Sequence, residues 1–263
     1  MEFVLIGIGM FMAGFIDSIA GGGGLISTPT LLLVGLPPHL ALGTNKLAAS
    51  AGTLVSSHGF FKNNKLNFKL LKMMIPFAFV GAVIGVTTLQ FITPDLLEKL
   101  IPFMIFGVAI YTVLSKKVGM FDHFHGFTPK NKLLGKLLTS TLGFYDGFFG
   151  PGTGTFFMFG LVKIFGFDFT VATANTKVLN FTTGFAALLT FLYNGQVDLR
   201  YGLIASIFMI LGAKIGTHMA ILNGAKFIKP IFIIMSLVMA GKMSGGCICN
   251  CPRWVGDCAC VTE

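Results

Sequence analysis

The sequence predicts an all-α integral membrane protein made of two inverted repeats, each a broken or re-entrant helical hairpin followed by three transmembrane helices. Three observations predict it. Charge is scarce: Asp, Glu, Lys and Arg make up 11% of the 263 residues against 54% apolar, and mean hydropathy is +0.83. A soluble domain carries about 25% charged residues, so lipid must be the solvent for much of this surface. The apolar residues also come in long unbroken runs, which select helices over barrel strands with their alternating pattern. Finally, the chain repeats itself at a single offset.

The apolar runs fall at 3–19, 25–36, 39–61, 70–91 and 98–115, and again at 133–149, 153–166, 170–193, 200–222 and 226–243. About 20 helical residues cross the hydrocarbon core, and most of the runs reach or approach that length. The runs 25–36 and 153–166 do not, since at 1.5 Å per residue they extend only about 18 to 21 Å. The first run is preceded by Glu2 and no basic residue, so it reads as a retained segment, not a cleaved signal peptide. Abundant Gly (34) and Phe (29) with a single Trp fit closely packed membrane helices.

The repeat divides the chain into a first unit (1–115), a linker (116–132), a second unit (133–243) and a Cys-rich tail (244–263). Lys46 in Gly43-Thr44-Asn45-Lys46 meets Lys177 in Ala174-Asn175-Thr176-Lys177, 131 positions later. At that offset Asn63 meets Asn194, Asn67 meets Asp198, and Gly81 and Gly85 meet Gly212 and Gly216. The breaks Ala20-Gly21-Gly22-Gly23-Gly24 and Gly150-Pro151-Gly152-Thr153-Gly154 occupy equivalent places ahead of the two short runs.

The formal net charge of +9 is concentrated in loops between apolar runs. That is the pattern that orients membrane segments, not one that binds nucleic acid. Lys62, Lys65, Lys69 and Lys72 put the segment 62–72 on the cytoplasmic side of a bacterial plasma membrane. Lys116, Lys117, Lys130 and Lys132 do the same for the linker. The repeat mate 194–200 holds only Arg200 and is expected outside, as are both termini. Lys226 and Lys229 mark a further short cytoplasmic loop at 223–229. Its mate near Thr93 to Glu98 has no basic residue, and this asymmetry of basic residues between matched loops means that the units have opposite orientations.

Paired glycine interruptions in corresponding halves point to a transporter's binding site. A helix that starts just after such a break aims free N–H groups and a positive dipole end at what lies there, which suits an anion. The binding residues expected on this ground are Gly22, Gly23, Gly24, Gly152, Thr153 and Gly154. The plainer alternative is that the glycines only allow a kink or close packing. Lys46 and Lys177 are intramembrane charges, which by default mark a site. Beside Asn45 and Asn175 they read as ligands of one shared midplane anion, or else as side chains that snorkel to the headgroups. Asp17 and Asp146 precede the breaks and could cap helices, carry a coupling proton or pair with the lysines. Lys214 and His218 either face the cavity or snorkel. His39 and His58 read as interfacial, and His123 and His125 lack metal-ligand spacing. With no Walker A motif and no nucleophile beside a base, neither ATP-driven transport nor an enzyme is expected, and no cofactor.

Ile16-Asp17-Ser18-Ile19-Ala20-Gly21-Gly22-Gly23-Gly24-Leu25-Ile26-Ser27-Thr28-Pro29 with Gly43-Thr44-Asn45-Lys46 resembles the first-half signature of the TauE/SafE family of sulfite and organosulfonate transporters. Gly150-Pro151-Gly152-Thr153-Gly154 with Ala174-Asn175-Thr176-Lys177 resembles its second half. The resemblance covers residues 1 to about 243. It implies movement of small sulfur-containing anions such as sulfite, thiosulfate or sulfoacetate, or related carboxylates. It also implies a site at the glycine turns with Asn45, Lys46, Asn175 and Lys177.

The tail departs from that pattern. All five cysteines (Cys247, Cys249, Cys251, Cys258 and Cys260) fall in the last 17 residues. A frameshifted or truncated reading frame, or a cloning remnant, is one account. The other is a thiolate cluster for a soft metal, which would make the chain a membrane-embedded thiol or redox protein. Its C-x-C spacing lacks the usual zinc C-x-x-C pairs.

Overall fold

The computed structural model describes residues 2–63, 65–97, 100–101 and 126–244, with side chains described as far as Leu222. The run 98–115, the linker up to residue 125 with Lys116, Lys117, His123 and His125, and the tail with its five cysteines lie outside the described residues, apart from positions 100–101. Among the described residues the chain forms the helices α1 Glu2–Ala20, α2 Gly24–Leu33, α3 Pro38–Lys62, α4 Phe68–Leu89, α5 Pro129–Phe148, α6 Thr153–Phe165, α7 Phe169–Tyr193 and α8 Leu199–Ser244, and residues 94–97 and 100–101 are also helical.

Local chemistry sets these boundaries. Pro38 opens α3 at a position where no N–H is needed. Asn67 accepts from Leu70 N at 3.1 Å to cap α4, and its repeat mate Asp198 accepts from Tyr201 N at 3.1 Å to cap α8. Asp168 accepts from Val171 N at 2.8 Å at the head of α7. Each cap satisfies a donor that the helix itself leaves open.

Three helices are long and apolar enough to cross a membrane by length and composition: α1, α4 and the Leu199–Leu222 part of α8. At 25 residues each, α3 and α7 are long enough but carry many Gly, Ser and Thr. They sit in the middle of the bundle, where Lys46, Thr53, Asn175, Lys177 and Thr183 are all buried. A central helix meets protein instead of lipid, so it need not be apolar all round. Its hydroxyls bond backward to the preceding turn, as Thr53 does to Ala49 O at 2.8 Å. The short α2 and α6 have 10 and 13 residues, about 15 and 20 Å, too short to cross about 30 Å of hydrocarbon.

One expectation fails. Instead of a loop at 223–229, α8 continues as one helix of 46 residues. Gly224 and Pro230 disfavour a helix here by about 1 and 3 kcal/mol, and the helix runs through both. The lysines there do not mark a chain reversal.

Helix directions follow from the close contacts. Gly14 of α1 lies on the Met209 carbonyl, while Gly212 and Gly216 of α8 lie on the Phe11 and Phe15 carbonyls, so α1 and α8 run parallel. In α4 and α5, Gly143 lies on the Ala78 carbonyl, Gly81 on that of Ser140 and Gly85 on that of Phe144, again parallel. A β-carbon at any of these glycines would overlap the facing backbone. Gly43 packs on Phe191 and Gly184 on Ser50, so α3 and α7 are antiparallel. Asn67 bonds Asn175 and Gln90 bonds Gln196, so α4 runs parallel to α7; Gly52 lies on Met209 and Gly59 on Thr217, so α3 runs parallel to α8. Thus α1, α3 and α8 run one way and α4, α5 and α7 the other.

Candidate functional site

The two glycine breaks meet. After α1 the chain turns at Gly21 (φ 82°), and after α5 at Gly150 (φ 97°), left-handed conformations open to glycine at little cost. A β-carbon on Gly154 would stand 2.7 Å from Gly21 O, and one on Gly24 would stand 2.8 Å from Pro151 Cα. Thr155 Oγ1 donates across the junction to Ala20 O at 3.2 Å. The first turns of α2 and α6, with their open amides, therefore reach one place from the two halves of the chain.

Two ion pairs brace this junction, and each crosses between the halves. Lys46 Nζ of α3 lies 3.0 Å from Asp146 Oδ1 at the end of α5 and also donates to the Asp146 main-chain carbonyl. Lys177 Nζ of α7 lies 3.0 Å from Asp17 Oδ2 at the end of α1 and also donates to the Asp17 carbonyl. The other oxygen of Asp17 accepts from Gly23 N at 3.2 Å, which ties the pair to the first break. Of the three roles open to the aspartates from sequence, pairing with lysine is realised twice, and Asp17 also takes an amide of its break.

A cavity of about 40 Å³ lies at the junction. One ordered water needs about 10 to 15 Å³, so there is room for a few waters or one small ion. Asp17, Asn45, Lys46, Asp146, Thr153 and Asn180 line it, together with Gly21, Gly24, Gly152 and Gly154. Asn45 is 5% exposed, and its Oδ1 has no hydrogen-bond partner, although its Nδ2 donates to Thr28 Oγ1 at 3.3 Å. Asn180 Oδ1 is likewise buried without a partner. Both side chains line the cavity, and their oxygens are two of eight buried side-chain atoms that lack a partner among the described residues.

The other expected residues are placed differently. Lys177 is fully buried and is not in the cavity wall. From the antiparallel register of α3 and α7 it lies roughly 16 Å from Lys46 along the bundle. Both amide atoms of Asn175 are used within the fold: Oδ1 accepts from Asn67 N at 2.9 Å, and Nδ2 donates to Val171 O at 2.7 Å. Gly22 and Gly23 are buried behind the wall. Lys214 and His218 are exposed on the outer face of α8. His39 Nε2 sits 3.2 Å from Ile92 O, and His58 packs beside Phe61.

The sequence reading treated Asn45 and Asn175 as equivalent, but at the common offset the mate of Asn175 is Thr44. The structure follows the offset: Thr44 Oγ1 accepts from Asp198 N at 2.9 Å, the same loop-holding contact that Asn175 makes to Asn67. Asn180, Thr53 and Gly184 line the cavity and were not anticipated. Asn180 has Ala49 as its mate, so the repeat gave it no signal.

The comparisons with known proteins agree with this architecture. The family model for sulfite exporter TauE/SafE matches residues 5–243. A probable membrane transporter protein of Haemophilus influenzae is 40% identical over 233 residues, 89% of this chain and 91% of its own length. The probable membrane transporter protein ORF9 of a Sinorhizobium species is 40% identical over 236 residues, 90% of each chain. The probable membrane transporter protein YfcA of Escherichia coli K12 is 34% identical over 247 residues, 91% of this chain and 90% of its own. No solved structure matches the chain. The family match ends before Cys247, and nothing in these relatives supports the thiol or redox alternative. This chain is a multi-pass membrane protein and belongs to the TauE/SafE family of membrane transporters.

Proposed function

We propose that the protein is a secondary transporter that carries a small anion by alternating access, and that the anion is a sulfur oxyanion or organosulfonate of the sulfite type. The observation that carries the reading is the junction cavity. Two helix starts, a buried ammonium and two unpartnered amide oxygens converge there from opposite halves of the chain. Asn and ammonium groups recognise anions by donating hydrogen bonds, and the amide of Asn45 or Asn180 presents its NH₂ after a simple flip. In this reading Lys46, Asn45, Gly24 and the turn at Gly152, Thr153 and Gly154 hold the anion, while Gly22 and Gly23 lie behind the wall. Lys177 and Asn175 support the walls from behind. The sulfur chemistry of the ligand rests on the family's description.

Alternating access needs two bodies that rock about a central site, and two inverted repeats supply them. Three findings support the repeats: the sequence offset, the opposite directions of α1 and α5, of α3 and α7 and of α4 and α8, and the swapped pairs Lys46–Asp146 and Lys177–Asp17. The lysine-rich segment 62–72 is then cytoplasmic. The start of α1 lies beside Tyr201, at the opposite end, and is outside.

Flux into proteoliposomes tests the reading, with sulfite, thiosulfate, sulfoacetate and small carboxylates as probes. Saturable uptake of at least one sulfur anion, above that of protein-free vesicles, is expected. Uptake of none of them would overturn the reading, and uptake that rises without saturating would make the protein a channel.

A further inference from the structure

The charges around the junction form a closed set. Lys46 and Asp146 neutralise each other, as do Lys177 and Asp17, and both carboxylates line the cavity. An anion that reaches Lys46 therefore enters a wall that already holds two carboxylates, and it leaves the set one negative charge in excess. Excess charge in a water-poor site is costly and is relieved when a neighbouring acid takes a proton. Two neutral states are available: Lys46 paired with ionised Asp146, and Lys46 paired with the anion beside protonated Asp146. Crossing the membrane in either state moves no uncompensated charge through the hydrocarbon region.

We infer that the site loads its anion together with a proton held on the Asp146 carboxyl, so that the protein is a proton–anion cotransporter. This deepens the anion-transporter reading and rests on it. The balance closes: one monovalent anion and one proton enter from the same aqueous side, the anion takes the place of Asp146 on Lys46, and both leave on the other side. For a divalent anion the second proton falls to Asp17. Asp146 is the first acceptor because its partner is the cavity lysine, whereas the oxygens of Asp17 are taken by Lys177 and the Gly23 amide.

The surroundings of Asp146 allow this. From α3 it faces Lys46 and Asn45, from α1 Asp17 with Lys177 behind it, from α7 Asn180, and from the start of α6 Thr153. Against this stretch of α5, α4 presents Gly81, Ala82 and Gly85, none of which titrates. Tyr145, next in sequence, donates its hydroxyl to Pro151 O at 2.9 Å. Among the described residues the only cation in the cavity wall is Lys46.

Thiosulfate is a suitable probe because its charge is constant from mildly acidic to mildly alkaline pH. Its affinity for the purified protein is measured across that range. In parallel, proteoliposomes holding a pH-sensitive dye receive thiosulfate on the outside. The inference expects affinity to rise about tenfold per unit fall in pH for each proton bound, and the lumen to acidify as the anion enters. Asp146→Asn, if it folds, should bind thiosulfate with a flatter pH dependence and carry it with fewer protons. The wild-type measurements decide the matter alone if it does not fold. Saturable thiosulfate uptake with pH-independent affinity and no proton movement would overturn the inference and leave the transporter reading standing. If thiosulfate neither binds nor enters while sulfite or sulfoacetate does, the same measurements on sulfoacetate decide it. No binding or entry of any of them would overturn both.

Discussion

At the scale of single residues, the chemistry of the junction comes down to what happens to an unpaired buried charge. Lys46→Met removes a cation that Asp146 needs, so it should cost about 3 to 5 kcal/mol of stability, the range for breaking one side of a buried pair. Lys46→Met with Asp146→Asn removes both charges and should regain most of that loss. Unfolding in detergent compares the two, and equal stabilities would mean that the pair is solvated. The lysines were legible in the sequence because a charge inside an apolar run stands out. Asp17 and Asp146 were legible as possible partners, but which lysine takes which aspartate was not, because Lys46 finds Asp146 a hundred positions away and Lys177 finds Asp17 still farther off. Spacing carries no record of such contacts. Asn180 escaped for a related reason: its repeat mate is Ala49, and a polar residue without a mate looks like any other helix residue.

At the scale of elements, the glycine breaks position the site, and they do so by contact as well as by conformation. Gly154→Ala places a methyl group 2.7 Å from Gly21 O and 2.5 Å from Asn180 Nδ2. It should cost about 1 to 3 kcal/mol, as overpacking does, and should weaken anion binding because the junction must part. Gly35 also has positive φ, at 94°, but a β-carbon there meets nothing within 4 Å. Gly35→Ala therefore carries the backbone penalty alone and should leave binding unchanged. Thermal unfolding and equilibrium anion binding on the two variants separate contact from conformation. If both variants behave alike, the close approach of the breaks is immaterial. Element positions were largely readable, since apolar runs, Pro38 and the caps at Asn67 and Asp198 are local signals. The loop expected at 223–229 was misread because a count of basic residues carries no record of where the backbone ladder breaks.

At the scale of the whole molecule, helix direction and loop charge make a joint prediction. Asn63 and Asn194 are repeat mates and both are exposed, one in the lysine-rich turn after α3 and the other in the turn after α7. With the tail cysteines replaced, Cys introduced at Asn194 should be labelled from outside intact cells and Cys at Asn63 should not. The reverse pattern would invert the topology, and labelling of both would break the repeat. The 131-residue offset was visible in the sequence. That Lys46 pairs with Asp146 and Lys177 with Asp17, both carboxylates lining one cavity, could be read only from the structure. The central claim is that this cavity binds an anion on Lys46, and equilibrium binding of radiolabelled thiosulfate or sulfite to purified protein tests it most directly. Wild type and the Lys46→Met, Asp146→Asn double variant are compared at matched fold stability. The account predicts saturable binding to the wild type and a loss of about 2 to 5 kcal/mol, 30-fold or more, in the double variant. A folded double variant that binds the anion as tightly as the wild type would contradict it.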